Sequence, residues 1–182
     1  MSDPTKLFYE RLLVLRCQTG DEPALGELIG RFTPRLAYFV HKLVSDADRT
    51  DDILQETWID VVRQLPKLQD TGAFAAWVYR IARGKVDLHF RRNGAGVRAT
   101  EELDDVAAPA DDVEFAAEDA ARVHAALDRL PIDQREVLVL RFLDGLSYEQ
   151  IAEIVGRPTG TVRSRIHYGK QALRRLLAGE SE

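Results

Sequence analysis

The sequence predicts an all-α protein of two small helical domains joined by a flexible acidic linker. Apolar residues recur at spacings of three and four rather than alternating, and no convincing period-two run occurs. One stretch between Asn93 and Ala120 drops this periodicity for Gly94, Gly96, small and acidic residues and Pro109. Such a composition buries too little apolar surface to offset chain entropy and should stay flexible. The expected boundaries are a first domain at 1–93, a linker at 94–120 and a second domain at 121–178.

In the first domain, Leu25, Leu28, Ile29 and Phe32 share a helical face. Thr33-Pro34 then reads as an N-cap and first-turn proline opening a new helix, with Leu36, Phe39, Val40 and Leu43 inward. Ile53, Leu54, Thr57, Trp58, Val61, Val62 and Leu65 form a broad stripe that Pro66 ends. After a loop at 69–72, Phe74, Trp77, Val78, Ile81 and Ala82 continue at helical spacing to about Phe90. In the second domain, Val123, Leu127 and Leu130 make a short stripe closed by Pro131. Val137, Leu138, Phe142 and Leu143 make the next, stopped by Asp144-Gly145. Ser147-Tyr-Glu-Gln150 is a capping box for a third helix, with Gly156 past its end. Thr159-Gly-Thr161 opens a fourth, whose Val162, Ile166, Leu173 and Leu177 share a face.

Charge is segregated more sharply than the net −5 over 182 residues suggests. From Glu101 to Asp119 there are nine carboxylates and no Lys or Arg. Arg157 to Arg175 holds six cations and no Asp or Glu, and Arg80 to Arg98 holds six against Asp87 alone. A net negative chain does not coat nucleic acid indiscriminately, but two basic patches flanking an acidic bridge suit localised contacts with a polyanion. No run of roughly eighteen apolar residues exists, which excludes a spanning helix. The first residues carry no basic segment followed by an apolar one, so a cytoplasmic protein is expected. A single cysteine, Cys17, excludes an internal disulfide framework and a multi-cysteine zinc site.

The segment Ser147 to Tyr168 has the arithmetic of a helix-turn-helix. Ala152 stands where two helices cross, Gly156 permits the left-handed turn, and Val162 packs the second helix back. With Val162 and Ile166 inward, the outer face carries Thr161, Arg163, Ser164, His167 and Tyr168. In a major groove such a helix presents arginine to guanine and Ser or His to base edges, while nearby cations such as Arg165 and Lys170 hold phosphates. The alternative is an ordinary helical hairpin with a charged outer face.

Residues 130–137 (LPIDQREV), 145–152 (GLSYEQIA) and 160–166 (GTVRSRI) resemble the C-terminal domain of bacterial sigma factors of the extracytoplasmic-function group. Residues 52–58 (DILQETW) are similar to that family's polymerase-binding helix, and residues 74–83 (FAAWVYRIAR) to its promoter-melting helix. The likeness extends over roughly residues 20 to 177. It implies a promoter-specificity subunit whose partners are core RNA polymerase, promoter DNA and an anti-sigma factor. By this resemblance Asp51, Asp52, Gln55 and Glu56 dock on a coiled coil of the polymerase's largest subunit, although Asp51 and Asp52 also fit as first-turn helix residues. Trp77, Arg80, Arg83, Lys85, Arg91 and Arg92 lie on the helix that opens the minus-ten element, where Trp77 fits core packing as well as stacking. A loop at 67–72, beginning at Lys67, captures a flipped base in the family. The acidic linker should be repelled from DNA, and the resemblance implies a path for it through the positively charged channel near the polymerase active centre.

Several positions depart from the family pattern. Gly84 and Leu88 stand where many relatives carry Asn and Asp, with Asp87 one position early. Pro158 replaces a capping Ser, which passes capping to Thr159, and Tyr168 and Lys170 alter the basic run after His167. Promoter preference is therefore expected to be its own. The sequence has no phosphate-binding glycine loop and no His-Glu-x-x-His helix. His41, His89, His124 and His167 are scattered, and Cys17 reads as an inert thiol. No cofactor, metal or enzyme activity is expected. The rival from another class is a stand-alone helix-turn-helix regulator, which leaves the Asp52–Trp58 likeness unexplained.

Overall fold

The structure, a computed structural model, describes residues 4–92 and 120–179. These are helices α1 (Pro4–Gln18), α2 (Glu22–Val44), α3 (Ala47–Gln64), α4 (Phe74–Arg92), α5 (Ala120–Asp128), α6 (Ile132–Phe142), α7 (Tyr148–Val155) and α8 (Thr159–Ala178), with 3-10 turns at Leu65–Lys67 and Thr71–Ala73. No strand occurs among the described residues. The chain divides into two compact units, the first built on α1–α4 and the second mainly on α5–α8. Nearly all of the expected linker lies outside the described residues.

α2 is the spine of the first unit. Asp21 caps it by accepting the Ala24 N–H at 3.0 Å. Leu28, Phe32, Leu36, Phe39, Val40 and Leu43 then line its buried side. Here the structure corrects the sequence: no helix begins at Thr33-Pro34, because α2 runs through Pro34 without a break. Pro34 has no N–H to give Gly30, but Phe32 and Leu36 are fully buried on either side, and that packing holds the helix across the lost bond. Phe32 meets Phe74 edge-on at 5.0 Å, and Phe39 meets Tyr79 at 5.2 Å, locking α2 to α4. Asp46 caps α3 through the Arg49 N–H, and Thr57 turns its hydroxyl onto the Ile53 carbonyl at 2.7 Å, so a buried polar side chain is satisfied. Val62, expected inward, is exposed, as is Ile59.

α1 escaped the periodicity reading because its apolar residues spread around the helix. Leu13 and Val14 are buried, whereas Leu7, Phe8, Leu12 and Leu15 are exposed. Tyr9 donates to Glu27 at 3.1 Å and Arg35 pairs with Glu10 at 3.4 Å, which fixes α1 on α2.

In the second unit α6 and α8 pack face to face. A Cβ added at Gly169 would stand 3.0 Å from Leu138 Cδ1 and 3.2 Å from Gln134 Cβ, so the glycine sets how closely the helices approach. Val137, Leu138, Val139, Leu140, Ile151, Val162, Ile166 and Leu173 form the core. Phe142 and Leu143, expected inward, are exposed at the C-terminal end of α6.

Candidate nucleic-acid interface

The helix-turn-helix is built by local chemistry. Ser147 Oγ accepts the Gln150 N–H at 3.2 Å and Gln150 Oε1 accepts the Ser147 N–H at 2.9 Å, a complete capping box opening α7. Gly156 takes φ 65°, ψ 39°, and its N–H and that of Arg157 both return to the Ala152 carbonyl, at 2.9 and 3.2 Å. α8 therefore starts three residues later at a fixed angle. Its N-cap is Pro158, with no side-chain cap. Thr159 does not take over capping, because it already lies inside the first turn.

On α8 the exposed side differs from the one expected. Arg163 is exposed, with its guanidinium 5.5 Å from the Tyr148 ring centroid. Thr161, His167 and Tyr168 are half-buried, and His167 Nε2 lies 3.0 Å from Gln171 Nε2. Tyr148, Arg163, His167, Lys170, Gln171 and Arg174 line a shallow depression. Tyr148, Gln171 and Arg174 were not singled out from sequence, although 163, 167, 171 and 174 repeat at helical spacing and extend the same face.

Three expected contacts are corrected. Ser164 is fully buried and turns its hydroxyl onto the Gly160 carbonyl at 3.1 Å. Arg165, with a side chain only 3% exposed, pairs with Asp133 of α6 at 3.1 Å. Lys170 is buried, its ammonium 5.4 Å from the Phe142 ring. Each is committed differently: Ser164 to its own helix, Arg165 to α6 through Asp133, and Lys170 to the Phe142 ring at the end of α6.

Glu149, exposed beside this surface, has its carboxyl held below the ordinary glutamate range. The largest cause is the hydrogen bond from its own backbone N–H. The Ser147 hydroxyl comes next, and Arg163 and Arg141 add attraction.

In the first unit, α4 mixes free and committed cations. Arg80 and Arg91 are exposed, as is Lys67 before the helix, and none has a carboxylate partner among the described residues. By contrast Arg83 pairs with Asp87 at 2.8 Å. Lys85 pairs with Asp60 at 2.6 Å and Glu56 at 3.6 Å, and Arg92 reaches Glu56 at 4.0 Å. Lys85 is thus corrected to a cross-brace between α3 and α4, because two carboxylates of α3 face it. Trp77 is half-buried with its ring 5.8 Å from Phe74, a packing position. On α3, Asp51, Asp52, Gln55 and Glu56 are all exposed, and Ile59 and Val62 follow at helical spacing, 53% and 45% exposed. This mixed polar and apolar stripe was missed at Ile59, which lies outside the inward pattern.

Among the described residues no three His, Cys, Asp or Glu gather to hold a metal ion, and no helix is long and apolar enough to cross a membrane. Cys17 is half-buried. Burial, with Asp21 adding, pushes its thiol up, so it is protonated at neutral pH and a weak nucleophile.

A helical unit carrying an exposed stripe, followed by a helix-turn-helix unit with a cationic outer row, is the architecture of a DNA-binding protein. Residues 28–95 match the family Sigma-70 region 2, and residues 120–173 match Sigma-70, region 4. The RNA polymerase sigma-H factor of Pseudomonas aeruginosa is 33% identical over 186 residues, spanning 92% of this chain and 93% of that one. The ECF RNA polymerase sigma-E factor of Escherichia coli K12 is 33% identical over 177 residues, spanning 90% and 92%. Among solved structures, CnrH in complex with the cytosolic domain of CnrY is similar at a TM-score of 0.66, with 26% identity over 94% of this chain and 99% of that one. The sigma factor RpoE of Bartonella quintana, in complex with the anti-sigma factor NepR, also gives 0.66, with 25% identity over 86% and 98%. The chain belongs to the extracytoplasmic-function RNA polymerase sigma factors, the promoter-specificity subunits of transcription initiation. A stand-alone regulator is not favoured, since it has no use for region 2.

Proposed function

We propose that the two units divide promoter recognition as follows. α8 enters the major groove of the minus-thirty-five element. Arg163, His167 and Tyr168 face base edges, with Thr161 at the helix start and Arg174 on phosphate. Arg80, Arg91 and Lys67 track the backbone of the minus-ten element as it opens, and the loop at 67–72 receives a flipped base. Asp51, Asp52, Gln55 and Glu56, with Ile59 and Val62 as apolar anchors, dock on a basic helix of core polymerase. The chain performs no chemistry itself, and it acts in the cytoplasm where polymerase is. Its structural neighbours were solved with CnrY and with the anti-sigma factor NepR, which supports a partner of that class here.

The observation that carries this reading is the row of exposed Arg163, Gln171 and Arg174 with half-buried His167, presented by a fixed helix-turn-helix. Run-off transcription with core polymerase on a pooled promoter library tests it. The expected result is transcripts sharing two spaced elements that depend on this chain and vanish with Arg163→Glu. Transcripts that persist with Arg163→Glu would remove α8 from the reading head.

A further inference from the structure

We propose that Arg11 of α1 is a further contact to the unpaired promoter strand, a reading that rests on the assignment of α4 and its preceding loop to strand opening. Two α1 side chains, two turns apart, reach that loop. Gln18 Nε2 donates to the carbonyls of Leu65 and Leu68 at 3.0 and 2.7 Å and so pins the base of the segment to α1. Arg11 lies at the other end, against Gly72. A Cβ built there would stand 2.7 Å from its Nε and 2.8 Å from its Cζ, so the guanidinium occupies the space a side chain would fill. Arg11 is exposed and has no carboxylate partner among the described residues. The one acid in this loop, Asp70, is engaged with the Gly72 N–H at 2.8 Å.

A planar cation laid on a glycine, beside the loop that receives a base, has the chemistry of a single-strand contact. It offers a face for stacking and donors for phosphate, without a bulky side chain beneath it. Phe8, one turn earlier on the adjoining face, is 71% exposed and adds an aromatic surface of the same kind. Lys67, at the start of the loop, and Arg80, on the helix after it, supply further positive charge along the strand path. Gln18 is a positioning residue in this arrangement, whereas Arg11 touches DNA.

The test uses holoenzyme with a promoter recovered from the pooled library. Two probes are compared: a fork whose minus-ten non-template strand is unpaired, and a duplex carrying only the minus-thirty-five element. Arg11→Ala is expected to weaken the fork roughly 5- to 20-fold. It should flatten the logarithmic salt slope by about 0.7, leaving the duplex and the melting temperature unchanged. Arg11→Lys should restore the slope but not the full affinity. Fork binding by Arg11→Ala with wild-type affinity and slope would overturn the proposal, as would equal losses on both probes accompanied by a lower Tm. If the wild-type holoenzyme opens no promoter, or Arg80→Ala leaves fork binding untouched, the strand-opening reading fails first and this contact falls with it.

Discussion

α4 and α8 both carry runs of cations, and they use them differently. On α4 three of the cations answer to carboxylates: Arg83 to Asp87, Lys85 to Asp60 and Glu56, and Arg92 to Glu56. On α8 Arg165 does, through Asp133 of α6, while Arg163 and Arg174 are exposed. A basic run thus says little about nucleic-acid contact until the acids on the neighbouring helix are placed. The same positive charge is a brace where an acid faces it and a reader where none does.

The sharpest way to break this contrast lies within α8, at two arginines two residues apart. Arg165→Ala strands Asp133 beside the core and should cost about 3 to 5 kcal/mol of the second unit's stability, read by denaturant unfolding. Arg163→Ala in the same experiment should stay within about 0.5 kcal/mol. Comparable losses at both would erase the distinction between brace and reader. On DNA the order should reverse. Arg163→Ala is expected to weaken promoter binding by about 1 to 3 kcal/mol and relax sequence preference, as fluorescence anisotropy on promoter variants would read.

Within α4 the corresponding pair is Lys85 and Arg80. Lys85→Ala should lower the stability of the first unit by about 1 kcal/mol through its lost link to Asp60 and Glu56. Arg80→Ala should leave the melting temperature in place and weaken forked DNA. A Lys85→Ala protein that melts normally but fails on forked DNA would return Lys85 to the DNA surface.

The smallest effect concerns pH at the capping box. Glu149 has a carboxyl pKa depressed in the folded state. Its contribution is therefore complete above the unfolded glutamate value and is lost as pH falls through the lower folded value. Glu149→Gln should flatten that acid limb of the unfolding curve, and an unchanged limb would remove Glu149 from the turn's electrostatics. Ser147→Ala should cost about 1 kcal/mol at any pH where the box is formed.

Much of the fold was legible because it rests on local chemistry. The capping box at Ser147, the left-handed Gly156 and the inward Val162 are short-range steric and hydrogen-bonding requirements, and the structure has each of them. The Thr33-Pro34 signal misled for a complementary reason: it is equally local, but Phe32 and Leu36 packing overrides it. α1 was illegible because its apolar residues have no single period to detect.

What the sequence by itself determined is the all-helical class, the helix-turn-helix and the family resemblance, all of which depend on residue order over a turn or two. What only the tertiary structure decided is which cations are free. Ser164, Arg165, Lys170, Arg83 and Lys85 read as DNA contacts along the chain, yet packing against neighbouring groups buries or pairs each of them. Arg11 is the converse, remote in sequence from the Gly72 loop and laid on it by the packing of α1. Periodicity fixes the angle at which a side chain leaves its helix, but the partner waiting at that angle comes from elsewhere in the chain.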